Sequence, residues 1–219
     1  MTNVHPLNAF LAAHADSSLA APLSPEQLTR FDDYLALLLR WNARTNLTAI
    51  RDAETIQRRH FVESILCARA LPAGISTLLD FGSGAGFPGL PIALCRPEIA
   101  VTLAESQHKK AAFLREAVRT LQIPVQVHGD RAELLGQKFS CVTLRAVDRM
   151  EVAVPAAARL VANEGWLAIL NTTAERERLA GLAENSGINK SIYRFDWMPL
   201  IRMESSSSRC MLLGQLMFA

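Results

Sequence analysis

Residues 77–92 read Thr-Leu-Leu-Asp-Phe-Gly-Ser-Gly-Ala-Gly-Phe-Pro-Gly-Leu-Pro-Ile, and no other stretch so constrains the fold. A short apolar run ends in a carboxylate, breaks into four glycines and passes into a second apolar run. That is the pattern of a buried strand, a tight turn and a helix start. Glycine admits φ > 0 and lets a ligand lie against the backbone, at the carboxyl edge of a parallel sheet where such folds bind ligands. Four glycines within residues 82–89 cost folding entropy without a packing return, which weighs against a turn that holds nothing.

Gly84, Gly86 and Gly89 satisfy G-x-G-x-x-G, a spacing shared by several nucleotide cofactors. Two details weigh against a dinucleotide. Asp80 would set a negative charge against a pyrophosphate, and Pro88 and Pro91 remove N–H donors from the helix start that would hold one. S-adenosylmethionine carries a sulfonium and an ammonium and no phosphate, so it is compatible with both. The expected cofactor contacts are therefore Asp80, Gly82, Ser83, Gly84 and Gly86. Glu105 follows the strand-like run Ala100–Ala104 and stands 25 positions after Asp80, near the usual distance for the acid that binds a ribose diol. NAD would need that acid too, so Glu105 does not discriminate between cofactors.

Around this turn the chain alternates strands and helices. Ser24-Pro25-Glu26-Gln27 forms a capping box for a helix whose stripe is Leu28, Phe31, Leu35 and Leu38. Asp52 caps a second helix with Ile56, His60, Glu63 and Cys67 on one face. Residues 6–15 read as a short helix and Asp16-Ser17-Ser18 as a loop. The Asn- and Thr-rich loop of residues 40–48 has two uses open to it, holding a helical cap to the sheet or touching a substrate. Further strands are expected at Val125–His128, Phe139–Leu144 and Gly165–Leu170, with helices over residues 106–121, 151–162 and 174–184. Ser191–Phe195 and Cys210–Met217 have only the Ser205–Ser208 loop and no helix between them, so they should pair antiparallel. The expectation is an α/β fold: a seven-stranded, mostly parallel sheet with a C-terminal antiparallel hairpin, an N-terminal helical cap (1–72) and a core (73–219) forming one compact unit.

Composition narrows the setting. The net charge of +2 permits nucleic acid as a partner without demanding it. The four cysteines lack C-x-x-C spacing, which argues against a metal site or a disulfide framework and for a reducing compartment, by default the cytoplasm. No basic start followed by an apolar core marks a secretory signal, and no apolar run approaches membrane-spanning length.

Taken together these elements resemble the class I S-adenosylmethionine methyltransferase fold, which is Rossmann-like. More narrowly, Trp41-Asn42, Asn46-Leu47-Thr48, His60, the run Asp80–Gly89, Glu105-Ser106, Lys109-Lys110, Phe113-Leu114, Arg131-Ala132-Glu133 and Arg145-Ala146 are collinear over about residues 35–170. They resemble the bacterial small-subunit (16S) ribosomal RNA guanine-N7 methyltransferases, the glucose-inhibited division protein B family. The resemblance implies S-adenosylmethionine as cofactor, with Gly82, Phe87, Ala132, Glu133 and Arg145 lining its site and Glu105 at the ribose. Asn171-Thr172 stands where the family usually has Lys-Gly, and Glu63 where its His-x-x-Asp-Ser run has aspartate.

The residues after the fourth strand suit that chemistry. Neither the polar-Pro-Pro-aromatic run of amino-group methylation nor a cysteine nucleophile is present; Arg145-Ala146-Val147-Asp148 stands there instead. Guanine N7 offers a lone pair and loses no proton, so the reaction needs alignment rather than a base. Arg131 and Arg145 are the candidate catalytic residues, to orient the base or bind phosphate, unless each pairs with Glu133 or another acid. Arg40, Arg44 and Arg58 in the cap and Arg209 in the tail are the RNA candidates. The expected partner is ribosomal RNA or the small subunit, with no membrane and a monomer favoured. The rivals are a methyltransferase of a small molecule or another RNA, and a non-catalytic cofactor-binding regulator.

Overall fold

The apolar runs become the strands of one mixed sheet. The computed structural model describes residues 4–13, 19–188, 193–203 and 208–218. Its strands are β1 (Thr77–Phe81), β2 (Ala100–Ala104), β3 (Gln126–His128), β4 (Phe139–Arg145), β5 (Val161–Thr172), β6 (Tyr193–Trp197), β7 (Ile201–Arg202) and β8 (Arg209–Phe218). Seven lie on one path in the order β3-β2-β1-β4-β5-β8-β6, and the two-residue β7 pairs with β8 as an eighth. β1 to β5 are mutually parallel, and β8 runs antiparallel to both β5 and β6. The tail strands therefore pair as their helix-free connection requires, with the later strand joining the sheet and the earlier one forming its edge. Ser191, Ile192, residues 204–207 and Asp16-Ser17-Ser18 lie outside the described residues.

Strand alternation splits the core in two. Leu78, Ala168 and Leu170 face one apolar cluster, while Leu79, Leu167 and Ile169 face the other. The first cluster also holds Leu7 of α1 (Pro6–Ala12), Phe31 and Leu38 of α2 (Pro25–Asn42), Ile56 of α3 (Ala53–Ile56), Ile65 of α4 (Glu63–Ala70), Leu90 of α5 (Gly89–Cys95) and Phe113 of α6 (His108–Leu121). The second is closed by Val154 of α7 (Met150–Ala158) and Leu179 of α8 (Arg176–Glu184). The N-terminal helices thus share a core with one face of the sheet.

The capping residues act as their types dictate. Ser24 Oγ accepts the Gln27 amide at 3.2 Å and Gln27 Oε1 accepts the Ser24 amide at 3.0 Å, while Asp52 Oδ1 accepts the Thr55 amide at 2.8 Å. Such caps contribute about 0.5–2 kcal/mol each.

Two local expectations are corrected. The helix expected over 151–162 ends at Ala158, and β5 begins at Val161, earlier than Gly165. The early start is irregular: β4–β5 pairing shifts between Phe139 and Cys141, and Glu164 sits at φ 59. The second helix contains a π turn, Gln57–Val62, between α3 and α4. Apolar periodicity does not mark such a turn, and π turns concentrate at functional sites.

Candidate functional site

A cleft of about 820 Å³ opens at the carboxyl edge of the sheet. It is lined by the glycine turn after β1, by Glu105 after β2, by Asp130–Glu133 after β3, by Arg145–Arg149 after β4, by Arg209 at the start of β8 and by Leu47–Ile50 of the cap loop. Strand order fixes the layout. Arg131 stands at the β3 end, the glycine turn in the middle, and Arg145 and Arg209 toward β8.

The turn is held from two sides. The Gly82 and Ser83 amides both donate to the Ala104 carbonyl at 3.0 Å, and the Gly84 amide donates to Glu105 Oε2 at 2.9 Å. Glu105 Oε1 accepts the Gln107 amide at 2.8 Å, so one carboxylate ties the turn to the entry of α6. A carboxylate offers about four acceptor sites, and two remain for a diol. From the cap, the buried Tyr34 hydroxyl donates to the Ala85 carbonyl, and its ring stacks on Phe61 and Phe87.

Two expected cofactor contacts are corrected. Asp80 lies beneath the turn, 1% exposed and outside the cleft lining. Its Oδ2 accepts the Gly89 amide at 3.1 Å and its Oδ1 accepts the Thr143 hydroxyl at 3.0 Å. Burial raises its pKa to about 6 against the pull of those hydrogen bonds. Gly86 is also outside the lining, and a Cβ there would stand 2.5 Å from Leu90 Cδ1 and 2.7 Å from the Tyr34 hydroxyl. Gly86 makes room for the cap, whereas Gly84, at φ +57, has no atom but the Gly82 carbonyl oxygen, at 3.9 Å, near its Cβ position.

The helix start is closed to phosphate for a reason sequence gave only in part. Pro91 has no N–H, Gly89 spends its own on Asp80, and Leu90 donates to the Gly86 carbonyl at 2.8 Å. The first turn of α5 keeps no donor for an anion.

Arg145 is the largest departure from expectation. Its Nη2 lies 2.8 Å from Glu63 Oε2 and 3.0 Å from His60 Nδ1 and donates to the Arg59 carbonyl; Nη1 reaches the Ser64 hydroxyl at 3.3 Å and the His60 carbonyl at 3.4 Å. The guanidinium is spent on the π turn and α4 rather than held free for a base. Glu63, and not Glu133, is its acid, and the same Glu63 also meets Arg209 at 3.2 Å and Arg59 at 3.6 Å. Burial, and then the charge of Arg145, hold the His60 pKa down to about 3, so its imidazole is neutral at physiological pH. The His60 ring stacks on Phe87 with centroids 4.8 Å apart.

The other candidates divide. Gly82, Ser83, Gly84, Phe87, Glu105, Arg131, Ala132, Glu133, Arg145 and Arg209 all line the cleft. Arg131 is exposed and forms no ion pair among the described residues. Arg40, Arg44 and Arg58 lie outside the cleft; Arg58 pairs with Glu54 at 3.2 Å, and its guanidinium lies over the Phe10 ring. Sequence reasoning gave no site role to Lys110 or to the loop of residues 146–149, which also line the cleft, as do Thr48 of the cap loop and Arg59. Ala146 and Arg149 have positive φ, at 48° and 53°, conformations that a side-chain-bearing sequence does not announce. Of the two uses weighed for the cap loop, the scaffolding one is visible: Asn42 pins it through the Thr48 amide and the Ile50 carbonyl, each at 3.0 Å, and Leu47–Ile50 line the cleft where a substrate contact would have to be made.

Comparison with known proteins follows the same outline. Residues 27–193 match the family described as GidB, rRNA small subunit methyltransferase G. The protein named ribosomal RNA small subunit methyltransferase G in Halorhodospira halophila is 44% identical over 168 residues, covering 76% of this chain and 79% of the relative. Its namesake in Anaeromyxobacter sp. is 38% identical over 200 residues, covering 88% and 92%. Among solved structures, a methyltransferase from Pyrococcus furiosus superposes with a TM-score of 0.56 at 13% identity, covering 85% of this chain and 98% of that one. A T. thermophilus 16S rRNA methyltransferase in complex with AdoMet and guanosine superposes at 0.53 and 17% identity, covering 72% and 39%. At such identities the likeness is one of fold, that of the class I methyltransferases.

Proposed function

We propose, of a chain that belongs to the rRNA small subunit methyltransferase G family, that it transfers the methyl group of S-adenosylmethionine to N7 of a guanine in small-subunit ribosomal RNA. One observation carries the reading: the family match over residues 27–193 takes in every residue that lines the cleft except Arg209.

The residues present fit this cofactor. The α5 start has no spare N–H for phosphate, and Glu105 keeps acceptor capacity for a ribose. When bound, S-adenosylmethionine supplies an electrophilic methyl group on a sulfonium. In this reading Gly82, Ser83, Gly84, Phe87, Ala132 and Glu133 wall its site and Glu105 takes the diol, while Asp80 and Gly86 hold the turn in shape.

Guanine N7 attacks through an in-plane lone pair and releases no proton, so the chain supplies position and dryness rather than a base. Neutral His60 stacked on Phe87 gives an uncharged wall. Arg145 acts as a positioning residue, fixing the π turn to the end of β4. Arg131, exposed at the rim, is the free donor of the two candidates. In this reading the partner is ribosomal RNA or the small subunit, and the protein works in the cytoplasm. No helix among the described residues is long and apolar enough to cross a membrane.

The test is incubation with methyl-labelled cofactor and small-subunit particles or their RNA. Label in RNA supports the reading; calorimetric binding of the cofactor without transfer would leave a binding protein in its place.

A further inference from the structure

Three groups at the β8 side of the cleft, Arg145, His60 and Thr48, form a hydrogen-bonded line. Arg145 can only donate, and its Nη2 lies 3.0 Å from His60 Nδ1. Nη2 shares its two protons among Glu63 Oε2, the Arg59 carbonyl and Nδ1, and Nδ1 is assigned as the bare, accepting nitrogen because a proton there would set donor against donor. A neutral His60 then carries its proton on Nε2. That nitrogen lies 2.8 Å from Thr48 Oγ1, so His60 donates to the threonine. The Ile50 amide donates to the same oxygen at 3.3 Å. A hydroxyl has two lone pairs and one proton. Both lone pairs of Thr48 are taken, and no acceptor among the described residues receives its proton. Thr48 lines the cleft, and Asn42, 3% exposed, holds the Thr48 backbone in place.

We propose that Thr48 is a specificity-determining residue, its hydroxyl polarised as an obligate donor through Arg145 and His60 and aimed at the carbonyl O6 of the guanine being methylated. The inference rests on the guanine-N7 reading above. O6 lies next to N7 on the same edge of the base and is an acceptor in guanine, while adenine presents an amino donor there. A fixed donor accepts guanine and opposes adenine, because an amino group facing it would leave both groups unpaired. Thr48 could donate and accept freely if it stood alone. The Arg145–His60 line removes that freedom, and with it the tolerance for adenine.

Two measurements test this. In 15N-labelled protein, which has five histidines, His60 is assigned by loss of its signals in His60→Gln. Its Nε2 should show the shift of a protonated pyrrole-type nitrogen and Nδ1 that of a bare one, without titration between pH 5 and 8. The reverse tautomer overturns the proposal. The second measurement compares single-turnover methyl transfer by wild type, Thr48→Val and Thr48→Ser, each with a cooperative melt, on particles rebuilt with guanine or 2-aminopurine at the acceptor position. 2-Aminopurine keeps N7 and lacks O6. Thr48→Val should slow transfer to guanine by roughly tenfold or more, and Thr48→Ser should restore it. On 2-aminopurine, wild type and Thr48→Val should agree within about twofold, since the acceptor for the hydroxyl is gone. An equal loss on both bases would make Thr48 a structural residue and overturn the proposal. Failure of the guanine-N7 reading shows separately, as absence of 7-methylguanosine in the wild-type reaction, and removes the inference with it.

Discussion

The Gly89 amide donates to Asp80 Oδ2 at 3.1 Å, beneath the turn that the two residues bracket. A Cβ on Gly89 would stand 2.7 Å from that oxygen and 2.3 Å from Leu103 Cδ2, so the carboxylate and the missing side chain fit one space. Asp80 serves the cofactor by shaping the turn. Asp80→Ala leaves the buried Gly89 amide without its acceptor and the Thr143 hydroxyl with only the Leu79 carbonyl, at 3.4 Å, and should destabilise the protein by about 1–3 kcal/mol. Denaturant titration checks this, and an unchanged midpoint would return Asp80 to the surface of the site.

The turn glycines should respond differently. Gly84→Val strains a residue at φ +57 and points a branched side chain into open space, so cofactor heat should vanish in a calorimetric titration while the melt stays cooperative. Gly86→Val, set against Tyr34 and Leu90, should lose several degrees of melting temperature, or fold poorly, before binding is tested. Retained affinity in the first variant, or an undisturbed melt in the second, contradicts these assignments.

Glu105→Ala should weaken S-adenosylmethionine by roughly 2–3 kcal/mol, the scale of charge-assisted hydrogen bonds. Part of that loss comes from the Gly84 and Gln107 amides, which the same carboxylate holds. Equilibrium binding decides it. An affinity within about twofold of wild type would leave Glu105 as a tie between the turn and α6 alone.

Much of this was legible in the sequence. Ser24 and Asp52 were readable as caps because capping depends on residue type at a local spacing. The glycine turn and the alternation of strands and helices that makes a mostly parallel sheet were readable for the same reason, whereas the order of the strands was not read. Asp80 misled because its charge was legible while its depth was not: whether a carboxylate faces a ligand or the underside of a turn depends on Thr143, distant in sequence. Arg145 misled in the same way, since its acid, Glu63, sits on another element, at the start of α4 just after a π turn that periodicity does not reveal.

Acid stability should show two opposed contributions. His60, ordinarily near 6.5 and held at about 3, binds its proton more readily unfolded, so its contribution rises with pH from about 3 to 6.5. Asp80, ordinarily 3.8 and raised to about 6, binds its proton more readily folded, so its contribution falls as pH rises through that window. Glu63, Arg59, Arg145 and Arg209 are the charged groups packed around His60. Each opposed contribution is at most about 1.4 kcal/mol per pH unit. Unfolding titrations at pH 4, 5 and 6 should therefore give His60→Asn a lower slope of stability against pH than wild type, and Asp80→Asn a steeper one. Coincident slopes would contradict the burial assigned to both.

The most direct test of the account is the position of the methyl group. After reaction with small-subunit particles and S-adenosylmethionine, the RNA is reduced with borohydride and treated with aniline, which cleaves the chain only at an N7-methylated guanine. The account predicts one new cleavage site, present with wild type and absent with Gly84→Val, and 7-methylguanosine in the digest. Methylated RNA that resists cleavage, with the label on another base atom, would contradict it.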